Sequence, residues 1–117
     1  MMNMNDNNII SEKSMDFAIR IVNLYKYLCD EKKEFILSKQ VLRSGTSIGA
    51  NISESENAQS RSDFKSKLSI ALKEACETKY WLELLFRTDY IEEKHFKSIN
   101  DDCTEIIKIL TSIVKKL

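Results

Sequence analysis

The chain has 117 residues, no proline, two glycines and a formal net charge of zero, with 18 Lys and Arg against 18 Asp and Glu. Its length fits one domain, and so few turn residues argue against all-β and α/β-hydrolase folds, which need them at every connection. A neutral chain exerts no global pull on phosphate, so any nucleic-acid contact must come from a local patch.

The opening MMNMNDNNII has neither the charged nor the apolar region of a signal peptide. It reads as a disordered polar leader over residues 1–10, followed by a single domain over 11–117. Ser11 or Ser14 caps a first helix running to about residue 33. Phe17, Ile21, Leu24 and Leu28 form its apolar stripe. A second helix, from near residue 35 to about 57, is striped by Val41, Gly45, Ile48 and Ile52.

The segment AQSRSDF then breaks the pattern. Ser60 and Asp63 have the spacing of a capping box, with Asp where Glu or Gln is usual. From Phe64 a third helix carries Leu68, Ala71, Ala75, Thr78, Leu82 and Leu85 in a heptad rhythm. RTDY interrupts it. The last helix, about residues 92–116, repeats the rhythm with Phe96, Ile99, Cys103, Ile106, Leu110, Ile113 and Leu117. Lys115 and Lys116 in its last turn suit the negative end of the helix dipole. Four amphipathic helices with short connections predict an all-α, antiparallel up-down four-helix bundle.

The third helix is apolar beyond one stripe. Ile70, Leu72, Cys76, Tyr80, Trp81, Leu84 and Phe86 lie off the seam. Such an excess predicts a surface shared with a second copy of the chain.

Residues 45–49, GTSIG, fit the G-x-S-x-G pattern of serine hydrolases. Their surroundings have helical period, no strand precedes them, and His95 is the only histidine that could serve Ser47 as a base. No catalytic set converges, so the expectation is no enzymatic activity and no small-molecule substrate. Gly45, Gly49 and Ser53 instead mark a helix-packing seam, because mid-helix glycine costs about 1 kcal/mol and needs a compensating close approach. Tyr80, Trp81 and Phe86 of the third helix are candidates to fill the space beside it. Asn51 and Glu54 either bond across to a neighbouring helix or face solvent.

Glu92 and His95 have the Glu-x-x-His spacing of di-iron bundles, which need two such elements. A single histidine predicts no metal, and nothing in the sequence calls for a cofactor. Cys29, Cys76 and Cys103 are odd in number and contain no C-x-x-C pair. They read as buried reduced thiols in a cytoplasmic protein. No apolar run approaches the roughly 20 residues of a membrane span. Arg61, Lys65, Lys67 and Lys73 form a candidate nucleic-acid patch at the start of the third helix, to be weighed against an ordinary solvated face. No aromatic residues interleave with them for base stacking.

LSKQVLRSGTSIGANISES followed by RSDFKSKLSIALKEACETKYWLELL resembles the 23S rRNA intervening-sequence protein family of bacteria. Gln40, Arg43, Ser44, Ser47, Ile48, Asn51, Ile52 and Glu54 match its first motif. Asp63, Phe64, Leu68, Ile70, Ala71 and Glu74 match the second. Where many relatives have glycine after the glutamate, this chain has Ser55, which leaves the end of the second helix open. The resemblance implies a non-enzymatic homo-oligomer, with pentamers among relatives, that acts as an interaction scaffold. Its partner would be nucleic acid, structured RNA first, or another protein. The alternative is a protein adaptor, as in a more distant basic branch that serves reverse transcriptases of diversity-generating retroelements. The neutral charge of this chain weighs against that role.

Overall fold

Among the residues described by the computed structural model, 4–117, there are four α-helices and no strand. They are α1 (Met4–Asp30), α2 (Leu37–Ser55), α3 (Arg61–Arg87) and α4 (Glu93–Lys116). Each packs against the next, α4 closes back on α1, and among the described residues no Cα atoms of the diagonal pairs come within 8 Å of each other. Side-chain contacts fix every neighbouring pair as antiparallel. Cys29 meets Ser38 at one end of α1/α2 while Ser14 lies by Gly49 at the other. Arg43 and Glu54 of α2 reach Glu74 and Lys67 of α3, in reversed order. The up-down bundle expected from the sequence is the fold, elongated at 44 × 22 × 19 Å.

The helix ends follow local chemistry. Ser60 is the N-cap of α3: its hydroxyl accepts from the Asp63 N–H at 3.0 Å, and the Asp63 carboxylate accepts from the Gln59 N–H at 3.1 Å. This is the predicted capping box, with its return bond one residue earlier. At the other end of α3, Asp89 takes a left-handed φ of 66° where glycine is usual. The Tyr90 N–H then reaches the Leu85 carbonyl, and the Asp89 N–H reaches that of Phe86. Helix α2 starts later than predicted because the Glu34 carboxylate accepts from the N–H groups of Ile36 and Ser38, supplying the cap from outside. It ends at Ser55 despite the missing glycine, with the buried Ser55 hydroxyl donating to the Ile52 carbonyl at 2.6 Å.

The first helix departs from expectation. It begins at Met4, so residues 4–10 of the proposed leader are helical; residues 1–3 lie outside the described residues. The physical reason is a longer stripe: Ile10 and Ser14 continue the spacing of Phe17, Ile21, Leu24 and Leu28, and both are buried. Neither Ser11 nor Ser14 is a cap. The core stripes of α2, α3 and α4 stand as predicted, with Val41, Ile48, Ile52 and the α3 heptad residues all buried.

Of the three residues expected in the glycine seam, Gly45 alone is closely approached, and its neighbour is α1. A Cβ built on Gly45 would lie 2.7 and 2.8 Å from Ile21 Cγ1 and Cγ2, so no side chain fits there. At Gly49 a Cβ would meet Ser14 at 3.4 Å or more, an ordinary contact. Ser53 is exposed. The α3 aromatics do not fill this space; Tyr80 is 61% exposed and stands edge-on to Trp81. Gly45→Ala should therefore destabilise the bundle by about 1–3 kcal/mol through overpacking. Gly49→Ala should leave it unchanged or stabilise it by up to about 1 kcal/mol through helix propensity. Thermal melts of the two variants check the contrast; equal shifts would place both glycines in the same environment.

Candidate functional site

The family-motif residues on α2 recur every three or four positions, which puts Gln40, Arg43, Ser47, Asn51 and Glu54 on the flank of α2 beside α3. Across from them, α3 presents Glu74 and Glu77. The Arg43 guanidinium donates to Glu74 at 2.9 Å and also pairs with Glu77. Glu77 further accepts from the Trp81 indole N–H at 3.0 Å. Glu54 pairs with Lys67 at 3.2 Å, and beneath these the buried Thr78 hydroxyl donates to Ser44 Oγ at 2.9 Å. Of the motif residues, Arg43, Glu54 and Glu74 thus belong to a clasp joining α2 to α3. Phe64 fills the core, Asp63 belongs to the cap, and Gln40 is exposed. Of the two residues left open by the sequence, Glu54 bonds across. Asn51 instead donates to the Ser47 carbonyl of its own helix.

Ser47 sits inside α2, on no sharp turn, with its hydroxyl donating to the Arg43 carbonyl at 2.6 Å. His95 is exposed in the first turn of α4, on the helix diagonal to α2. The fold does not bring the two together. Glu92 is the N-cap residue of α4, in extended geometry, so Glu92 and His95 do not share a helical face. Among the described residues no three His, Cys, Asp or Glu side chains converge as a metal set. None of their helices is long and apolar enough to cross a membrane.

The basic patch is rearranged. Lys67 points to α2 and is tied to Glu54. Arg61, Lys65 and Lys73 are exposed and, among the described residues, carry no ion pair. Of the four residues of the expected patch, Lys67 is thus engaged within the protein and the other three face solvent.

The exposed apolar surface has also moved from its expected place. Leu72, Trp81 and Phe86 of α3 pack against the core, and Phe86 stacks on Phe96 at 4.5 Å. Only Ile70 and Tyr80 remain as large exposed apolar residues there. Helix α1 instead turns out Met15, 62% exposed, and Ile19, 53% exposed. Beside them runs a groove between α1 and α2 whose wall includes Met15 and whose floor is made of small residues: Ser14, Ala18, Gly49, Ala50 and Ser53. Periodicity along α3 alone could not reveal this, because both helices contribute.

The thiols divide by burial. Cys103 is buried, its Sγ 3.3 Å from the Ala75 carbonyl; Cys29 is half-buried, and Cys76 is exposed. The expectation of three buried thiols fails at Cys76, which lies on the outward side of α3. Burial pushes the Cys103 thiol up to about 12 from an ordinary 9.0.

Comparison with known proteins gives one consistent result. The model of the 23S rRNA-intervening sequence protein family matches residues 6–112. A solved structure, a protein of unknown function from the S23 ribosomal protein family of Bacteroides thetaiotaomicron VPI-5482, is 64% identical with a TM-score of 0.93. The similarity covers 94% of this chain and 98% of that one. No curated protein matches this chain.

Alkylation at neutral pH should label Cys76 readily in the native protein and leave Cys103 untouched until the bundle is unfolded. Because the folded Cys103 value lies above the unfolded one, its contribution to stability is intact below pH 9.0 and is lost as pH rises towards about 12. Mass mapping of the labelled sites checks the order; native labelling of Cys103 would contradict its burial.

Proposed function

Since the chain belongs to the 23S rRNA-intervening sequence protein family, we propose that it is a non-enzymatic cytoplasmic scaffold. It self-associates and uses the assembled bundle to contact nucleic acid, structured RNA in particular. The observation that carries self-association is the α1/α2 surface. Met15 and Ile19, one helical turn apart, stand outward beside a groove floored by glycine, alanine and serine, an exposed apolar patch of the kind that marks an interaction surface. A second copy covering that surface removes the apolar area from water at roughly 25 cal/mol per Å². Small groove residues let a helix of the neighbour approach closely. The family likeness makes a pentamer the assembly to expect.

A non-enzymatic role is supported by the environment of Ser47, whose hydroxyl is engaged with its own helix and far from the one histidine. A nucleic-acid partner is supported by Arg61, Lys65 and Lys73, which are exposed and, among the described residues, in no ion pair.

Light scattering should return a mass several times the 13.6 kDa of the chain, close to fivefold for the pentamer. Met15→Glu with Ile19→Glu should shift it towards a single chain while the helical circular dichroism persists. A wild-type mass of 13.6 kDa at micromolar concentration would refute self-association. A serine-hydrolase probe should leave Ser47 unlabelled, and covalent labelling there would reverse the non-enzymatic reading.

A further inference from the structure

Helix α3 sorts its charges by side. Three acids of α3, Asp63, Glu74 and Glu77, lie on or near the flank facing α2 and are engaged there, in the cap and with Arg43. The opposite flank faces α4. The Cys103–Ala75 contact and the hydrogen bond from Lys79 Nζ to Thr104 Oγ1 at 3.1 Å fix both the register and the facing sides. From Lys79 back towards the start of α3, this flank reads Lys79, Cys76, Leu72, Ser69, Lys65 and Arg61. From Thr104 towards the end of α4, the adjoining flank reads Thr104, Lys108, Thr111 and Lys115. Neither run contains a carboxylate. Lys73 stands one step outward on α3.

Lys65, Lys73, Lys108 and Lys115 are all exposed, and among the described residues none of them is in an ion pair. The antiparallel register brings Lys115 opposite Lys65 and Lys108 beside Lys73. The face thus joins cations that are more than 30 residues apart in sequence. It extends about 27 Å along α3 at 1.5 Å per residue, with the two rows about 8–10 Å apart. Glu83 and Asp101 mark its far limit. A protein neutral overall, with 18 charges of each sign, has concentrated unpaired positive charge on one side of one helix pair.

We propose that this α3/α4 face binds the phosphate backbone of double-stranded RNA. The inference rests on the nucleic-acid reading of the protein and adds the surface and the form of the partner. Charge alone fits any polyanion, but two further features select a duplex. No aromatic residue lies within either run, and the one exposed aromatic beside them, Tyr80, stands at the edge of the face one heptad beyond Lys73, so the row of stacking platforms that single-strand binders use is missing. The cations are interspersed with hydroxyls of Ser69, Thr104 and Thr111, donors suited to phosphate and ribose 2′-OH groups. Both rows stand on rigid helices, which match the fixed backbone spacing of a duplex rather than a flexible strand. Recognition would be by shape and charge, without sequence readout.

The test is fluorescence anisotropy with the full chain and a labelled RNA duplex of arbitrary sequence, across a salt series. Wild type should bind, with affinity falling steeply as salt rises because each neutralised phosphate releases counterions. Combined Lys65→Glu, Lys108→Glu and Lys115→Glu should lower affinity by more than about tenfold and reduce the salt slope by about three. A control with equal charge change at the other end of the bundle, Lys32→Glu, Lys39→Glu and Lys94→Glu, should bind nearly as wild type. Circular dichroism and light scattering verify that the variants fold; should the glutamate set not fold, the same positions changed to Gln carry the test. If the control loses as much affinity as the α3/α4 variant, RNA binding stands but this face is not its site. Tighter binding to the single strand of the same sequence would overturn the duplex assignment. Absence of binding even at low salt, or binding to anionic vesicles alone, would overturn both the face and the nucleic-acid reading.

Discussion

The bundle depends on how closely α2 approaches its two neighbours at one level. Gly45 has no side chain because the branched carbons of Ile21 occupy the place of its Cβ. One residue earlier, Ser44 turns to the other side and meets Thr78 of α3 through a buried hydrogen bond. Two consecutive small residues thus set the separation of α2 from α1 on one side and from α3 on the other. Larger residues here would push both neighbours outward, and the close-packed interior tolerates little of that. Helix α4 closes the ring against α3 and α1. Its contact with α1 is supplemented at the surface by the Arg20–Asp102 and Lys13–Glu105 ion pairs, at 2.6 and 2.9 Å. Exposed pairs of this kind add little energy, so the apolar stripes, rather than the charges, hold α4 in place.

This arrangement gives Arg43 and Glu74 of the polar family motif a structural role. Arg43, Glu74 and Glu77, with Trp81 behind them, bond with one another along the α2/α3 surface. The sharpest local pattern in the chain, GTSIG, dissolves into packing: Gly45 serves the approach to α1, Ile48 the core, and Ser47 bonds its own helix. The exposed Lys65, Lys73, Lys108 and Lys115, which among the described residues are in no ion pair, lie elsewhere, on the α3/α4 side. With Glu74 and Glu77 engaged by Arg43 of α2 and Asp63 by the cap, the run of cations on the opposite flank contains no carboxylate. The structural clasp and the basic face are two consequences of one division of charge around α3.

Much of the fold was legible from residue spacing. The 4-3 stripes of α3 and α4, the Ser60–Asp63 cap and the break at RTDY all appear where a period-3.6 reading puts them, because buried helical faces impose that period directly on the sequence. The start of α1 was misplaced since over residues 9–14 only Ile10 and the small Ser14 are buried. A buried serine carries no hydrophobic signal. Cys76 and the apolar residues of α3 were misjudged for a related reason: hydrophobic character does not tell which flank has a neighbour. Leu72, Trp81 and Phe86 found cover inside the protein, whereas Met15 and Ile19 of α1 did not.

The sequence by itself determined the four helices, their order, the main apolar stripes of the core and the family. Each of these follows from local periodicity, capping chemistry or motif spacing. Only the tertiary structure decided which helix faces which, and hence that Gly45 meets Ile21, that Lys67 is paired with Glu54, and that Lys65 shares a face with Lys108 and Lys115 on α4. A candidate site made of side chains from two helices depends on register and on the rotation of each helix about its axis. Those quantities are set by how the side chains of all four helices pack together, so no single stretch of the chain encodes them.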